Sequence, residues 1–192
     1  MSSPQAVLVA RPRRSRIIAI TVVAWLAYIG LDFLLNAGIL ARAIDWKQPG
    51  LLSPTQMFQR IPLGYLSFLF ATVLLVWLML RMEIRGLRSG TVFGVQFGLF
   101  TAAIGFFGLY SIVSFRPQTL LLWSLESVPS LTVVGAIVGE GLVRERIRKL
   151  VGVVLVFVIL CFIATAVLQN LNASHRAKTG SQAGLPTHNP LW

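Results

Sequence analysis

IIAITVVAWLAYIGLDFLLNAGIL, residues 17–40, carries a single charge, Asp32, in 24 positions. At 1.5 Å per residue it is long enough to cross a bilayer core of about 30 Å. At about 100° per residue, Thr21, Trp25, Tyr28, Asp32 and Asn36 fall within an arc of roughly 80°. These are the segment's residues with polar side-chain atoms. Lipid offers such a stripe no partners, so it has to face protein or trapped water. The stretch therefore predicts a polytopic membrane protein with a polar seam inside it.

The composition agrees. The 192-residue chain is 56% hydrophobic and 12% charged, against about 25% charged residues in soluble domains. Little chain is left for a soluble domain. The net charge of +11 raises nucleic acid as a partner. However, the basic residues cluster at the ends of apolar segments, where topology signals sit, and this excludes nucleic acid as a partner and leaves the lipid bilayer. The single cysteine, Cys161, cannot form a disulfide within the chain or supply a thiolate metal site.

The pattern predicts an all-α bundle of five spans, at about 17–40, 61–81, 90–114, 118–142 and 150–169. Residues 1–16 form a basic tail. A cleaved signal peptide competes for the first span, since Ala41-Arg42-Ala43 looks like a cleavage site, but the apolar run is too long and Asp32 interrupts it. Ser53-Pro54-Thr55-Gln56 is a capping-box pattern with proline at the first helical position. A helix is expected from Pro54, broken at Pro62. Residues 54–60 would then lie at the interface, with Trp46 and Phe58 as anchors.

Glycines 90, 94, 98, 105 and 108 share one face of the third span with Thr101, which predicts a ridge for close helix packing. Gly135 and Gly139 predict a second such site in the fourth span. There, Thr119, Trp123, Glu126 and Ser130 fit an arc of roughly 60°. Pro129 should kink that helix and free the Leu125 carbonyl beside Glu126. The fifth span is apolar on nearly every side, so four helices are expected to pack with the fifth peripheral. From about residue 170 onward the expectation is a loosely ordered tail.

With five spans the termini lie on opposite sides. Eleven Lys or Arg residues fall on the side of the N-terminus and six on the other. The positive-inside rule predicts a cytoplasmic N-terminus and an outside C-terminus, in a cell (inner or plasma) membrane. The sequon Asn172-Ala173-Ser174 would lie outside.

This orientation places Asp32 and Glu126 at similar depth, each roughly 12 Å below the outer boundary. A charge near the membrane core costs at least about 2.5–3.5 kcal/mol on insertion scales, so two retained acids need compensation. A proton, a cation, or hydrogen bonds from Tyr28, Asn36 or Ser130 would supply it. The candidate polar or ion site is thus Asp32, Glu126, Tyr28, Asn36, Ser130, Trp25 and Trp123. Both histidines, His175 and His188, lie near the C-terminus, so no imidazole is available within the membrane for haem or a metal. No nucleophile–base–acid trio falls in one layer. No phosphate-cradling loop, catalytic residue, cofactor or metal set is expected.

Residues 17–142 resemble small bacterial inner-membrane proteins of unknown function built on four tightly packed helices. The likeness is carried by LDFLL at 31–35, FRPQTLLL at 115–122 and GAIVGEG at 135–141. It implies a topology and assigns no catalytic residue. Three functions are compatible with the chain. One is an accessory or structural subunit that packs with other membrane proteins. A second is a small proton- or cation-coupled transporter using the paired carboxylates. The third is an intramembrane enzyme acting on a lipid or quinone.

Overall fold

A computed structural model describes residues 13–42, 51–144 and 147–183. Among these there is no strand. Five helical segments are long and apolar enough to span a membrane: Arg14–Ile39, Thr55–Arg81, Leu87–Tyr110, Pro117–Val143 and Ile147–Leu171. The helices are α1 (Arg14–Phe33), α2 (Pro54–Arg81), α3 (Leu87–Tyr110), α4 (Pro117–Leu125), α5 (Ser127–Val143) and α6 (Ile147–Ala183).

The first span is not one regular helix. After Phe33 it passes into a π turn, Leu34–Ile39, marked by the Leu40 N–H bonding to the Leu35 carbonyl, and then into a short 3-10 turn. The wider turn slows the angular advance per residue, so Asn36 remains on the face begun by Tyr28 and Asp32.

α2 begins as the sequence predicts. Ser53 Oγ accepts from the Gln56 N–H at 3.3 Å, and Gln56 Oε1 accepts from the Ser53 N–H at 3.1 Å. The predicted break at Pro62 is absent: α2 runs unbroken for 28 residues, so 54–60 is not a separate interfacial helix. Pro62 removes one backbone donor. It is exposed, and the helix is held on either side by the capping box and by the packed half beyond Phe68. Phe58 is exposed on this helix, whereas Trp46 lies outside the described residues.

α2 ends in a Schellman motif. Glu83 takes a left-handed φ of 56°, its N–H bonds the Leu80 carbonyl, and the Ile84 N–H bonds the Met79 carbonyl at 2.9 Å. Met79 is fully buried and Ile84 packs on the same core, which supplies the motif's apolar contact.

α3 and α5 form the closest pairing among the described helices. Gly90 and Gly94 meet Gly135 and Gly139 backbone to backbone. A Cβ on Gly98 would stand 2.8 Å from Val128 Cα. The Gly86 N–H, presented at φ 89°, donates to the Gly139 carbonyl at 2.9 Å. The predicted ridge thus holds over glycines 90, 94 and 98. It does not continue to Gly108, where a Cβ would meet nothing within 4 Å, because α3 and the α4 end of the fourth span diverge there. A Cβ on Gly105 would meet only the Ser124 side chain, 3.5 Å from its Oγ.

In the fourth span Glu126 joins α4 to α5 with an α-helical backbone, and the missing N–H of Pro129 leaves the Leu125 carbonyl without its helical donor. α1, α2, α5 and the start of α6 enclose the main core, including Ile20, Ala24, Ala27, Leu75, Met79, Leu131, Val134 and Val138.

α6 packs chiefly along α1 and its π turn. Val158 lies against Gly30 and Leu168 against Gly38. These two glycines of the first span make the docking possible, although no ridge spacing in the sequence sets them apart. The tail expected from residue 170 is instead helical to Ala183. Once a helix exists, each added residue gains a backbone bond at little cost, and 170–183 contains no proline. Residues 184–192, with His188, lie outside the described chain.

At the α1 start, Arg16 reaches across to the C-terminal end of α5. Its guanidinium donates to the Gly141 carbonyl at 2.9 Å and to the Arg144 carbonyl. It thereby caps carbonyls that the helix leaves free. Beside it, Arg144 pairs with Glu140 at 3.1 Å.

Candidate functional site

The π turn and the α4–α5 junction at Glu126 face each other. Asn36, on the π turn, directs both amide hydrogens at acids: Nδ2 donates to Asp32 Oδ1 at 3.0 Å and to Glu126 Oε2 at 2.7 Å. The two carboxyl groups are also within hydrogen-bonding reach of each other. A hydrogen bond between two carboxyls needs a proton on one of them, and two bare carboxylates at this range repel strongly where water is scarce. An arrangement of this kind can share a proton or a cation.

The acids open into a cavity of about 490 Å³. It exists because α1 and α4 scarcely touch: each packs on α5 or α3 instead, and a gap is left between them. Tyr28 and Phe68 form one wall, stacked with ring centroids 4.4 Å apart and planes 14° apart. Trp123 lines the opposite side, edge-on to Phe115 at 6.0 Å. Thr101, Gly105 and Leu109 of α3 line the cavity as well.

Its hydroxyls differ in how they are used. Thr101 Oγ1 donates to the Phe97 carbonyl at 2.9 Å. Ser127 Oγ lies 2.7 Å from the Ser124 carbonyl and 3.1 Å from that of Gly98. Ser124 is only 7% exposed, lines the cavity, and its Oγ has no partner.

The predicted site residues separate into two groups. Asp32, Glu126, Tyr28, Asn36 and Trp123 line one cavity. Trp25 does not: its indole N–H donates to the Tyr65 carbonyl of α2 at 2.9 Å, so it ties α1 to α2. Ser130 is fully buried on α5, outside the cavity lining, with its Oγ unpartnered. The helical phase is kept across Glu126, whose backbone is α-helical and whose carbonyl accepts from the Ser130 N–H at 3.4 Å, so Ser130 sits one turn beyond Glu126 and clear of the cavity lining. Thr21 bonds within its own helix, to the Ile17 carbonyl at 2.9 Å. Ser124, Ser127, Thr101 and Phe68 join the site without a place in the predicted set. The unmatched polarity of Ser124 among LLLWSL is a signal for one of them.

No group of three or more His, Cys, Asp or Glu side chains that could hold a metal occurs among the described residues. The donor set at the cavity is two carboxyls, an amide and hydroxyls, beside aromatic rings. No family model, curated protein or solved structure matches the chain.

Proposed function

We propose that this multi-pass membrane protein binds a proton or a cation at Asp32 and Glu126, and that the site serves cation- or proton-coupled transport. The observation that carries the reading is the Asn36 amide donating to both acids across the gap between two spans. Side chains that served only as glue would be expected to close the space between their helices. Here they line a cavity instead. Charged groups within membrane spans mark ion and substrate pathways as a rule.

In this reading the chain sits in the cell membrane with its N-terminus in the cytoplasm, as the excess of basic residues on that side supports. The cavity then lies in the outer half of the bundle. α6 packs along α1 and the π turn, and its start closes one side of the main core.

The test uses purified protein and two readouts. Infrared difference spectra between about pH 5 and pH 9 should contain carboxyl bands that disappear in Asp32→Asn and Glu126→Gln. Proteoliposomes holding a pH-sensitive dye should report proton movement driven by an added cation gradient, lost in the same variants. Bands and flux that persist unchanged in both variants would remove the proposal.

A second reading, an accessory subunit, has its own support. Gly64, Gly108 and Gly152 lie exposed on three different helices, with nothing within 4 Å of where a side chain would start. Bare backbone of this kind permits close approach of further membrane helices. A lone, monodisperse monomer recovered in mild detergent would count against that reading.

A further inference from the structure

We infer that the cavity's ligand is an organic ammonium carrying an apolar or aromatic body, held with its N–H groups between Asp32, Glu126 and the free hydroxyl of Ser124. The inference rests on the cation-site reading and names the class of cation. Three observations of different kinds converge on it.

The first is charge: two acids meet in one cavity, and among the described residues no Lys or Arg lines it to neutralise them. The second is the unpartnered Ser124 Oγ. A buried hydroxyl without a partner costs stability, and a ligand donor at this wall would satisfy it. Gly105 stands beside it, 3.5 Å from the Oγ were a side chain to begin there, which leaves the hydroxyl's approach uncrowded. The third is the walls. Tyr28, Phe68, Trp123 and Leu109 make the lining mostly apolar and aromatic. Aromatic faces attract ammonium groups, and apolar walls take up the carbon body.

A small inorganic cation suits the site less well. Calcium wants six to eight oxygens and magnesium a near-ideal octahedron, whereas a single amide already occupies the space between the two carboxyls with its hydrogens turned toward them. An ammonium replaces those N–H donors like for like. A cavity of about 490 Å³ also holds far more than an ion, and falls in the range of small-molecule pockets.

Full-length protein in nanodiscs is titrated with phenylbutylamine and, separately, with phenylbutanol, its neutral counterpart of similar shape. The amine is expected to bind and the alcohol to bind at least about tenfold more weakly. Asp32→Asn and Glu126→Gln should each weaken amine binding at least about thirtyfold. Ser124→Ala should weaken it about fivefold, the worth of one hydrogen bond. Ser130→Ala is the matched control, since its hydroxyl is equally buried and unpartnered but lies off the cavity. It should leave binding unchanged.

Equal affinity for amine and alcohol would overturn the ammonium assignment. Equal weakening by Ser124→Ala and Ser130→Ala would overturn the role of Ser124. Absent amine binding with the pH-dependent carboxyl bands intact would overturn this inference and leave the proton-site reading standing. Loss of both signals in the wild-type protein would overturn the two together.

Discussion

Gly90 of α3 and Gly135 of α5 lie backbone against backbone, each so placed that a Cβ on one would strike the carbonyl oxygen of the other. The obstacle is main chain, which has no rotamer to swing aside. Gly90→Ala or Gly135→Ala should therefore push α3 off α5 and destabilise the protein by about 1–3 kcal/mol. Gly108→Ala, in the same helix as Gly90 but facing open space, should instead stabilise slightly, by up to about 1 kcal/mol, from helix propensity alone. Thermal unfolding in detergent followed by circular dichroism separates the two. Equal effects at both positions would mean the ridge is not a contact.

Arg16 predicts a different kind of loss. In the sequence it is one of several basic residues on the N-terminal side. In the fold it caps two carbonyls at the end of α5. Arg16→Gln should cost about 1–2 kcal/mol, through the lost charge-assisted bonds. Arg14→Gln, which removes the same charge from an exposed position, should cost almost nothing. Lysine at position 16 should recover only part: one guanidinium nitrogen makes both bonds, which an ammonium can match in donors, but the lysine stem is shorter. Unfolding midpoints of the variants measure this directly.

How far the sequence can be read follows from where one assumption holds. A constant 100° per residue is sound within α3 and within α5, so the packing ridge at glycines 90, 94 and 98 and the site at Gly135 and Gly139 are each legible, though not that the two meet. So is the capping box at Ser53, a local pattern needing no long-range phase. Asp32 and Glu126 can be placed at one depth because depth depends on rise, which a π turn hardly alters. Direction is another matter. The π turn from Leu34 to Ile39 resets the phase at the end of the first span. On the fourth span a wheel gives direction but not how far along the helix the cavity extends, so it admits Ser130, one turn past Glu126 and off the cavity, and passes over Ser124. Trp25 departs for a further reason: an indole reaches far enough to bond across to α2 from the edge of the polar stripe. No local signal separates a proline that ends a helix from one, like Pro62, that a long packed helix absorbs.

Asp32, Asn36 and Glu126 distinguish binding from glue through opposite signs. If the acids hold a ligand, they are poorly matched in the empty protein. Asp32→Asn should then leave stability unchanged or raise it while binding is lost, the usual trade at a functional site. Asn36→Leu removes the one amide that joins both acids and should destabilise by about 1–3 kcal/mol. Structural glue predicts losses of similar size for both substitutions. Unfolding in detergent without added amine is the measurement. A clear loss of stability in Asp32→Asn would favour the glue.

Trp25 and Trp123 share one site in the sequence pattern, and the structure gives them separate tasks that substitution can pull apart. Trp25→Phe keeps most of the ring's bulk but deletes the bond to the Tyr65 carbonyl, so stability should fall by about 0.5–1.5 kcal/mol. The cavity lies on other residues, so amine affinity should be unchanged. Trp123→Ala removes an aromatic part of the cavity wall, so amine affinity should fall about fivefold or more. Titrating both variants with phenylbutylamine, alongside their unfolding midpoints, checks the four outcomes. A loss of affinity in Trp25→Phe as large as that in Trp123→Ala would mean that the cavity's shape depends on the α1–α2 tie. The division of labour between the two tryptophans would then be wrong.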